Sequence, residues 1–135
     1  MKKVLFGVLV GIFFLFNCTD NPPSTAIIKM PDDATVKSSA DVLFLITAIV
    51  TDRESDEIRY NNFRVKFLCM NCEFQNIDET TEDLIEFNTT EVEKRTNSNG
   101  IAKVWVKVKV GNEANVSGSL ENGSTDSTKL TVTAP

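Results

Sequence analysis

The chain has 135 residues, of which 19 are acidic, 14 are basic and none is histidine, so its formal charge is −5. Without histidine, neither a Ser-His-Asp or Cys-His catalytic site nor a histidine metal ligand can form, which removes most common hydrolase chemistry. The acidic balance argues against nucleic-acid binding, which needs a basic surface. We therefore expect one domain that is not an enzyme and uses no cofactor.

The first seventeen residues have the organisation of a signal peptide. Lys2 and Lys3 precede an apolar run of 13 residues, Val4–Phe16. This run is shorter than the ~20 residues of a membrane-spanning helix and has the length of the apolar region of a secretory signal. Its end, Leu15–Cys18, resembles a bacterial lipobox, in which the cysteine receives the lipid. We expect a lipoprotein signal peptide at residues 1–17 and lipidation of Cys18; the alternative is an uncleaved N-terminal anchor.

Either form of leader ties the domain to a membrane outside the cytoplasm. Two or more acyl chains give stable anchoring, whereas a single chain binds weakly. Residues 18–25 include the adjacent Pro22 and Pro23 and predict a short, stiff spacer, followed by the domain at residues 26–135. The expected location is the bacterial cell envelope, on the periplasmic or cell-surface side, and at the outer membrane if the cell is Gram-negative.

The domain begins with segments of alternating polarity, which is the pattern of half-buried β-strands. Ala26–Met30 predicts a first strand, and Ala34–Lys37 predicts its continuation on the other sheet. Val42–Val50 predicts a long strand that is apolar on both faces. The inward positions of this strand are Val42, Phe44, Ile46, Ala48 and Val50, and the outward positions are Leu43, Leu45, Thr47 and Ile49.

The next part of the chain contains a polar loop and two shorter strands. Thr51–Asn62 is a long loop rich in acidic residues, and Phe63–Leu68 alternates as a third strand with its phenylalanines inward. Glu73–Ile77 predicts a return strand.

The stretch Asp78–Phe87 is ambiguous. Thr80 and Asp83 resemble a capping box, so one or two helical turns can form there. The following residues, Asn88–Arg95, predict a strand that is polar enough to lie at the edge of a sheet.

The strongest strand signal in the chain is Thr96–Val110, where a polar turn ending at Gly100 opens into a strict alternation. A period of two predicts a β-strand with one face in the core. The inward residues are Ala102, Val104, Val106, Val108 and Val110, and the outward residues are Ile101, Lys103, Trp105, Lys107 and Lys109. A further strand then runs through Ala114–Leu120, and Asn122-Gly123 predicts a hairpin turn before a last strand that contains Leu130 and Val132.

About seven strands separated by turns predict an all-β, immunoglobulin-like two-sheet sandwich. Three segments, Ile46–Asp52, Phe63–Phe67 and Thr96–Val104, resemble a bacterial immunoglobulin-like domain of the invasin and intimin type, and the last matches its T-D-x-x-G-x-A-x-V signature. Val116–Gly118 stands where that family has V-T-A, and Leu130–Val132 ends the domain. The resemblance covers roughly residues 26–134 and implies an extracellular rod, tether or adhesin.

Cys69 and Cys72 form a C-x-x-C pair after a predicted strand. A thioredoxin-like redox pair needs its first cysteine at a helix N-terminus, where the helix dipole lowers the thiol pKa. A zinc site needs four ligands as a rule, and this pair supplies two. We expect a structural disulfide that clamps a turn, because an exported location permits one.

The loop that contains Asp52, Glu54, Asp56 and Glu57 offers carboxylates of the kind that bind calcium. It lacks the alternating spacing and the glycine of a dedicated calcium loop, so we expect a solvated charged loop and predict no metal site. A pair of carboxylates is also the signature of glycoside hydrolysis, but a small sandwich offers no evident cleft for that reaction.

Trp105 lies on the outward face of its strand between Lys103 and Lys107. In the fold that the chain resembles, this strand pairs with Val42–Val50, which would bring Leu43, Leu45 and Ile49 beside the indole. An apolar patch on a small domain indicates a partner site, and tryptophan is enriched in binding hot spots. The alternative is that the first strand, the spacer or Asp78–Phe87 folds over the patch.

These observations favour a non-catalytic binding or adhesion module that is held by its lipid anchor and engages a protein or a glycan through this face. The second hypothesis is a structural or accessory subunit of a cell-envelope assembly, in which the polar edge strand pairs with a partner. The third, which we rank last, is redox chemistry at Cys69 and Cys72. Fold alone does not decide between them.

Overall fold

The computed structural model describes residues 23–77 and 84–135, without the side chains of residues 76, 77 and 84–88. The expected signal peptide, the lipidated Cys18 and the capping-box pair Thr80 and Asp83 lie outside the described residues. Within the described part of the chain, no helix is long and apolar enough to cross a membrane.

The described residues form ten strands in two five-stranded sheets. Sheet 1 has the order β1-β3-β8-β5-β6, and sheet 2 has the order β2-β10-β9-β4-β7. The strands are β1 Ala26–Lys29, β2 Ala34–Lys37, β3 Val42–Asp52, β4 Arg64–Met70, β5 Glu73–Ile77, β6 Leu84–Thr89, β7 Glu91–Arg95, β8 Ile101–Val108, β9 Glu113–Ser119 and β10 Thr125–Thr133. The predicted fold class, an all-β immunoglobulin-like sandwich, is confirmed.

The structure has ten strand segments where the sequence predicted about seven strands, because three strands are divided between the two sheets. The pairs β1 and β2, β4 and β5, and β6 and β7 each begin in one sheet and continue in the other. Counted as single bent strands, the ten segments become seven. The predicted continuation of the first strand on the other sheet, at Ala34–Lys37, is therefore confirmed.

The longest pairing in the molecule joins β3 to β8 in sheet 1. The two strands are antiparallel and in register over eight residue pairs, from Val42 opposite Val108 to Ile49 opposite Ile101. The period of two places one row of each strand in the core, and Ala48, Val50, Val106 and Val108 are completely buried there. The inward faces predicted for these strands are confirmed, with Val42, Phe44 and Val110 only partly buried.

The centre of the core lies between a phenylalanine from each sheet. Phe67 on β4 and Phe74 on β5 are fully buried, and their rings meet edge to face with centroids 6.3 Å apart. Edge-to-face pairs of this kind add stability beyond the area that they bury. Val65, Val116, Leu130 and Val132 complete the sheet 2 side of the core.

The chain passes from sheet 2 to sheet 1 at the two cysteines. Strand β4 pairs with β7, and β5 pairs with β6 in the same antiparallel sense, so the four segments form one long hairpin that bends at Cys69–Cys72. The Cys69 N–H donates to the Thr90 oxygen at 2.9 Å across the bend. The predicted return strand at Glu73–Ile77 exists, but it continues the direction of β4 and pairs with β6 and β8 instead of returning along β4.

The other arm of this hairpin begins in the stretch that was ambiguous in the sequence. Residues 84–89 form strand β6, which belongs to sheet 1, and Glu91–Arg95 form β7 at the edge of sheet 2. The predicted polar edge strand is therefore confirmed for its second half. Its first residues belong to β6 instead, because the bend at Thr90 moves the chain from one sheet to the other.

The opposite side of the sandwich is closed by side chains from the β9–β10 turn and the start of β10. The Ala26 oxygen accepts a hydrogen bond from the Asn122 amide at 2.9 Å, the Ile28 N–H donates to the Ser124 hydroxyl at 3.1 Å, and the Met30 N–H donates to Asp126 at 2.7 Å. These contacts satisfy polar backbone groups along the outer edge of β1. A strand edge covered in this way offers little to an additional strand.

Gly100 ends the turn that leads into β8, and its position explains why a glycine stands there. Its φ is +72°, and a Cβ on this residue would lie 2.7 Å from the Val50 backbone oxygen and 3.2 Å from the Arg59 Cβ. Its own carbonyl accepts a hydrogen bond from the Val50 N–H at 2.8 Å. Both the backbone conformation and the close approach to β3 therefore exclude a side chain.

We expect Gly100→Ala to lower the free energy of unfolding by about 3 kcal/mol, because it combines a left-handed backbone with overlap against β3. Gly123→Ala is the matched control, since Gly123 has a φ of +92° with no atom within 4 Å of the added Cβ. Backbone strain alone should make that change cost about 1 kcal/mol. Urea unfolding measures both, and equal losses would show that the approach of Gly100 to Val50 does not matter.

Candidate partner-binding face

The outer face of sheet 1 gathers the residues that the sequence singled out around Trp105. Trp105 on β8 lies directly opposite Leu45 on β3 and opposite Gln75 on β5. We call this surface the Trp105 face. Its outward residues on the two central strands are Leu43, Leu45, Thr47 and Ile49 of β3, and Ile101, Lys103, Trp105 and Lys107 of β8.

The apolar part of the Trp105 face is open to solvent. Leu43 is 39% exposed and Leu45 is 43% exposed, while Trp105, Ile49 and Ile101 are half-buried. The first strand does not fold over this surface, because β1 pairs beside β3 in the plane of the sheet. Residues 84–87 belong to β6, at the far edge of the same sheet. The rest of that stretch, residues 78–83, and the spacer residues 18–22 lie outside the described residues. The neighbours predicted for Trp105 are therefore the observed ones.

Two lysines flank Trp105 on the Trp105 face. Lys103 is exposed opposite Thr47, and Lys107 is half-buried opposite Leu43 with its Nζ 3.8 Å from a carboxylate oxygen of Glu73. Among the described ion pairs, none involves Lys103. An apolar centre beside the exposed Lys103 ammonium group favours a partner that presents apolar side chains with acidic neighbours.

The sequence did not single out three other exposed apolar positions. Leu68 is 42% exposed and Met70 is 69% exposed on the outer face of sheet 2, and Ile58 is 47% exposed in the acidic loop. Leu68 and Met70 share the outward parity of β4 with Arg64 and Lys66. That parity is the signal for these two positions in the sequence.

Cys69 and Cys72 are joined by a disulfide with a Cα–Cα separation of 5.6 Å, which is the usual distance for such a bond. The residues are 7% and 8% exposed. They lie where a strand crosses from sheet 2 to sheet 1, so no helix dipole acts on the sulphur atoms at this corner. The arrangement holds the bend between β4 and β5.

The carboxylate of Asp52 in the acidic loop is occupied by donors from the protein itself. Asp52 is 7% exposed, and it accepts hydrogen bonds from the Tyr60 hydroxyl at 2.9 Å and from the Glu54 N–H at 3.1 Å. Hydrogen bonds from the Thr25 side chain, Tyr60 and the Glu54 amide lower the pKa of Asp52 below its ordinary value.

A second carboxylate of the same loop is also engaged, since Asp56 forms an ion pair with Lys29 that lowers the pKa of Asp56. Among the described residues, no three His, Cys, Asp or Glu side chains lie close enough together to hold a metal ion. The loop folds back onto β3 through a bridge between Thr51 and Arg59. The carboxylates of Asp52 and Asp56 therefore serve contacts within the domain.

The hydrogen bonds to Asp52 predict a pH dependence of stability. A carboxyl group whose pKa is lower in the folded state stabilises the fold above its ordinary value of 3.8, and this contribution is lost as the pH falls through the folded-state value. We expect Asp52→Asn to be less stable than the natural protein at neutral pH and the difference to shrink in acid. Tyr60→Phe should show part of the same effect. Chemical unfolding at several pH values tests both variants. A stability difference from the natural protein that does not change with pH would contradict the prediction.

No family model and no curated protein sequence matches this chain. Two solved structures that are similar to it are distant in sequence. One is the ASH/PapD-like domain 7 of human CEP192, with 11% identity, 85% of this chain and 89% of that chain covered, and a TM-score of 0.43. The other is AggA, the major subunit of aggregative adherence fimbriae type I of Escherichia coli, with 16% identity, 79% and 93% covered, and a TM-score of 0.35.

Proposed function

We propose that this protein is a non-catalytic binding or adhesion module of the bacterial cell envelope, of the invasin and intimin type and anchored by a lipid at Cys18. It engages a partner outside the cytoplasm through the Trp105 face. The observation that carries this proposal is the apolar surface on the outer face of sheet 1, where Leu43 and Leu45 are exposed beside the half-buried Trp105. A contiguous apolar patch of this kind is unusual on a small domain that does not bind a partner.

The make-up of the Trp105 face supports a protein partner with an acidic rim. Tryptophan is among the residues that contribute most to binding energy, and Leu45 beside it supplies a second apolar contact. Lys103 and Lys107 stand at the outward positions on either side of Trp105 along β8. Lysines at a rim speed the approach of an acidic partner and select against a basic one.

The tether supports a function close to the membrane. Residues 18–25 separate the expected lipid from β1 and span at most about 28 Å when fully extended. They enter beside the acidic loop, where the Arg53 N–H donates to the Thr25 oxygen at 2.8 Å. The Trp105 face begins beyond the end of the domain that carries Thr25 and the acidic loop, and it extends along β3 and β8.

The test uses two leucines that are nearly equally exposed on opposite sheets. Leu45 is 43% exposed on the Trp105 face, and Leu68 is 42% exposed on the outer face of sheet 2. The full-length chain recovers partners from detergent extracts of the cell envelope, mass spectrometry identifies them, and the affinity of a purified partner is then measured. We expect Leu45→Ser to weaken binding by about 30-fold, which is ~2 kcal/mol, and Leu68→Ser to leave it unchanged.

The charge of the rim is tested with the same partner. Lys103→Glu should slow association, and raising the ionic strength from about 0.05 M to about 0.5 M should slow it for the natural protein as well. Lys94→Glu on β7 is the control for charge alone. A partner that binds Leu45→Ser and Lys103→Glu as tightly as the natural protein would contradict the proposed role of the Trp105 face.

A second function, a structural subunit of an envelope assembly, is favoured by the position of β7. This strand lies at the edge of sheet 2, and among the described strands it pairs only with β4. Thr89 already covers one end of that edge, because its hydroxyl accepts from the Glu91 N–H and donates to the Glu91 oxygen. Native mass spectrometry of membrane extracts distinguishes the two functions: assemblies that persist in Leu45→Ser but dissociate in Glu93→Pro indicate pairing through β7.

A further inference from the structure

A trough crosses the outer face of sheet 2, on the side of the sandwich opposite the Trp105 face. Its volume is about 510 Å³, and it lies over the middle of β9. The outward residues of β9 at this point are short, Asn115 and Ser117, whereas β4 raises Leu68 and Met70 beside them. A row of short side chains next to a row of long ones produces a depression along the strand.

The lining of the trough separates polar from apolar groups. One wall is the apolar pair Leu68 and Met70, which are 42% and 69% exposed. The floor and the other wall carry neutral hydroxyl and amide groups, from Asn115 and Ser117 on β9 and from Thr125 and Ser127 on β10. The groups available for hydrogen bonding include both donors and acceptors, and most of them bear no charge.

The lysines beside the trough are paired with carboxylates. On one side, the Lys66 Nζ lies 2.9 Å from a carboxylate oxygen of Glu91, and on the other the Lys129 Nζ lies 3.9 Å from one of Glu113. Asp126 also lines the trough, and one of its carboxylate oxygens accepts the Met30 N–H at 2.7 Å, which leaves its negative charge in place. The trough therefore offers neutral polar groups and one carboxylate.

We propose that this trough binds a neutral oligosaccharide. A sugar ring presents apolar C–H groups on its faces and hydroxyl groups around its rim, and this trough offers an apolar wall beside hydroxyl and amide groups. Both lysines beside the trough are engaged by carboxylates, and the Asp126 carboxylate repels an anion. An acidic ligand would therefore lose hydration without compensation, and a ligand without charge fits better. The site is separate from the Trp105 face and does not depend on its function.

The experiment titrates the full-length chain with maltohexaose, cellohexaose and chitohexaose in a detergent that has no sugar headgroup. Two-dimensional NMR follows the backbone amides. We expect at least one of the three sugars to shift the amides of Asn115, Ser117 and Ser127 in a saturable way and to leave those around Trp105 unchanged. An oligomer of galacturonic acid tests the preference for an uncharged ligand and should bind more weakly.

Ser117→Leu fills the trough from its floor and should weaken sugar binding by at least about tenfold. Thr131→Leu is the control, because Thr131 also faces outward on sheet 2 but does not line the trough. Leu45→Ser should keep the sugar and lose the protein partner, so the two sites fail independently. The proposal is overturned if none of the three sugars shifts these amides, if Ser117→Leu binds as well as Thr131→Leu, or if the acidic oligomer binds as tightly as the neutral ones.

Discussion

The pairing of β3 with β8 is the contact on which the rest of this domain depends. Eight residue pairs in register place one row of each strand in the core and the other row on the Trp105 face. A shift of one residue would exchange the two rows and expose the valines of β8. The turn at Gly100 fixes the start of this register, because its backbone contacts that of Val50 directly. The core and the candidate binding surface therefore arise from the same alignment.

The second constraint is the passage of three strands between the sheets. The bend at Cys69–Cys72 and Thr90 closes one side of the sandwich with a continuous hairpin, and the step from β1 to β2 closes the other. Phe67 and Phe74, on either side of the first bend, supply the edge-to-face pair at the centre of the core. The disulfide thus stands between the two largest buried side chains, where it limits the directions that the chain can take.

Period-two alternation was sufficient to predict most of this fold from the sequence. The inward faces of β3, β4, β8 and β9 agree with the structure, because burial of one face imposes a pattern that a local reading detects. The sheet switches were harder to predict, since a strand that bends between two sheets keeps its alternation. The direction of β5 depends on its partners β6 and β8. One of these is distant in the sequence and the other is ambiguous, and so the prediction of β5 as a return strand was wrong.

The two candidate surfaces also differ in how far the sequence predicts them. The neighbours of Trp105 were predictable because a resemblance supplied the pairing of β3 with β8, and parity then supplied the residues. The trough on sheet 2 was not predictable from the sequence, because it requires β4, β9 and β10 to lie side by side. Short residues such as Ser117 do not by themselves indicate a depression. A depression is a property of neighbouring strands, and it becomes visible only when their order is known.

The covered edge of β1 has a consequence if the chain is anchored to a membrane as we propose. Copies held to one bilayer by short tethers would meet at high local concentration and in similar orientations, which favours any contact that can repeat from one copy to the next. The strand nearest the tether would be the first surface to meet a neighbour, and Asn122, Ser124 and Asp126 already occupy polar backbone groups along its edge. Crowding on such a bilayer would therefore raise the number of modules that face a ligand without joining them into a continuous sheet.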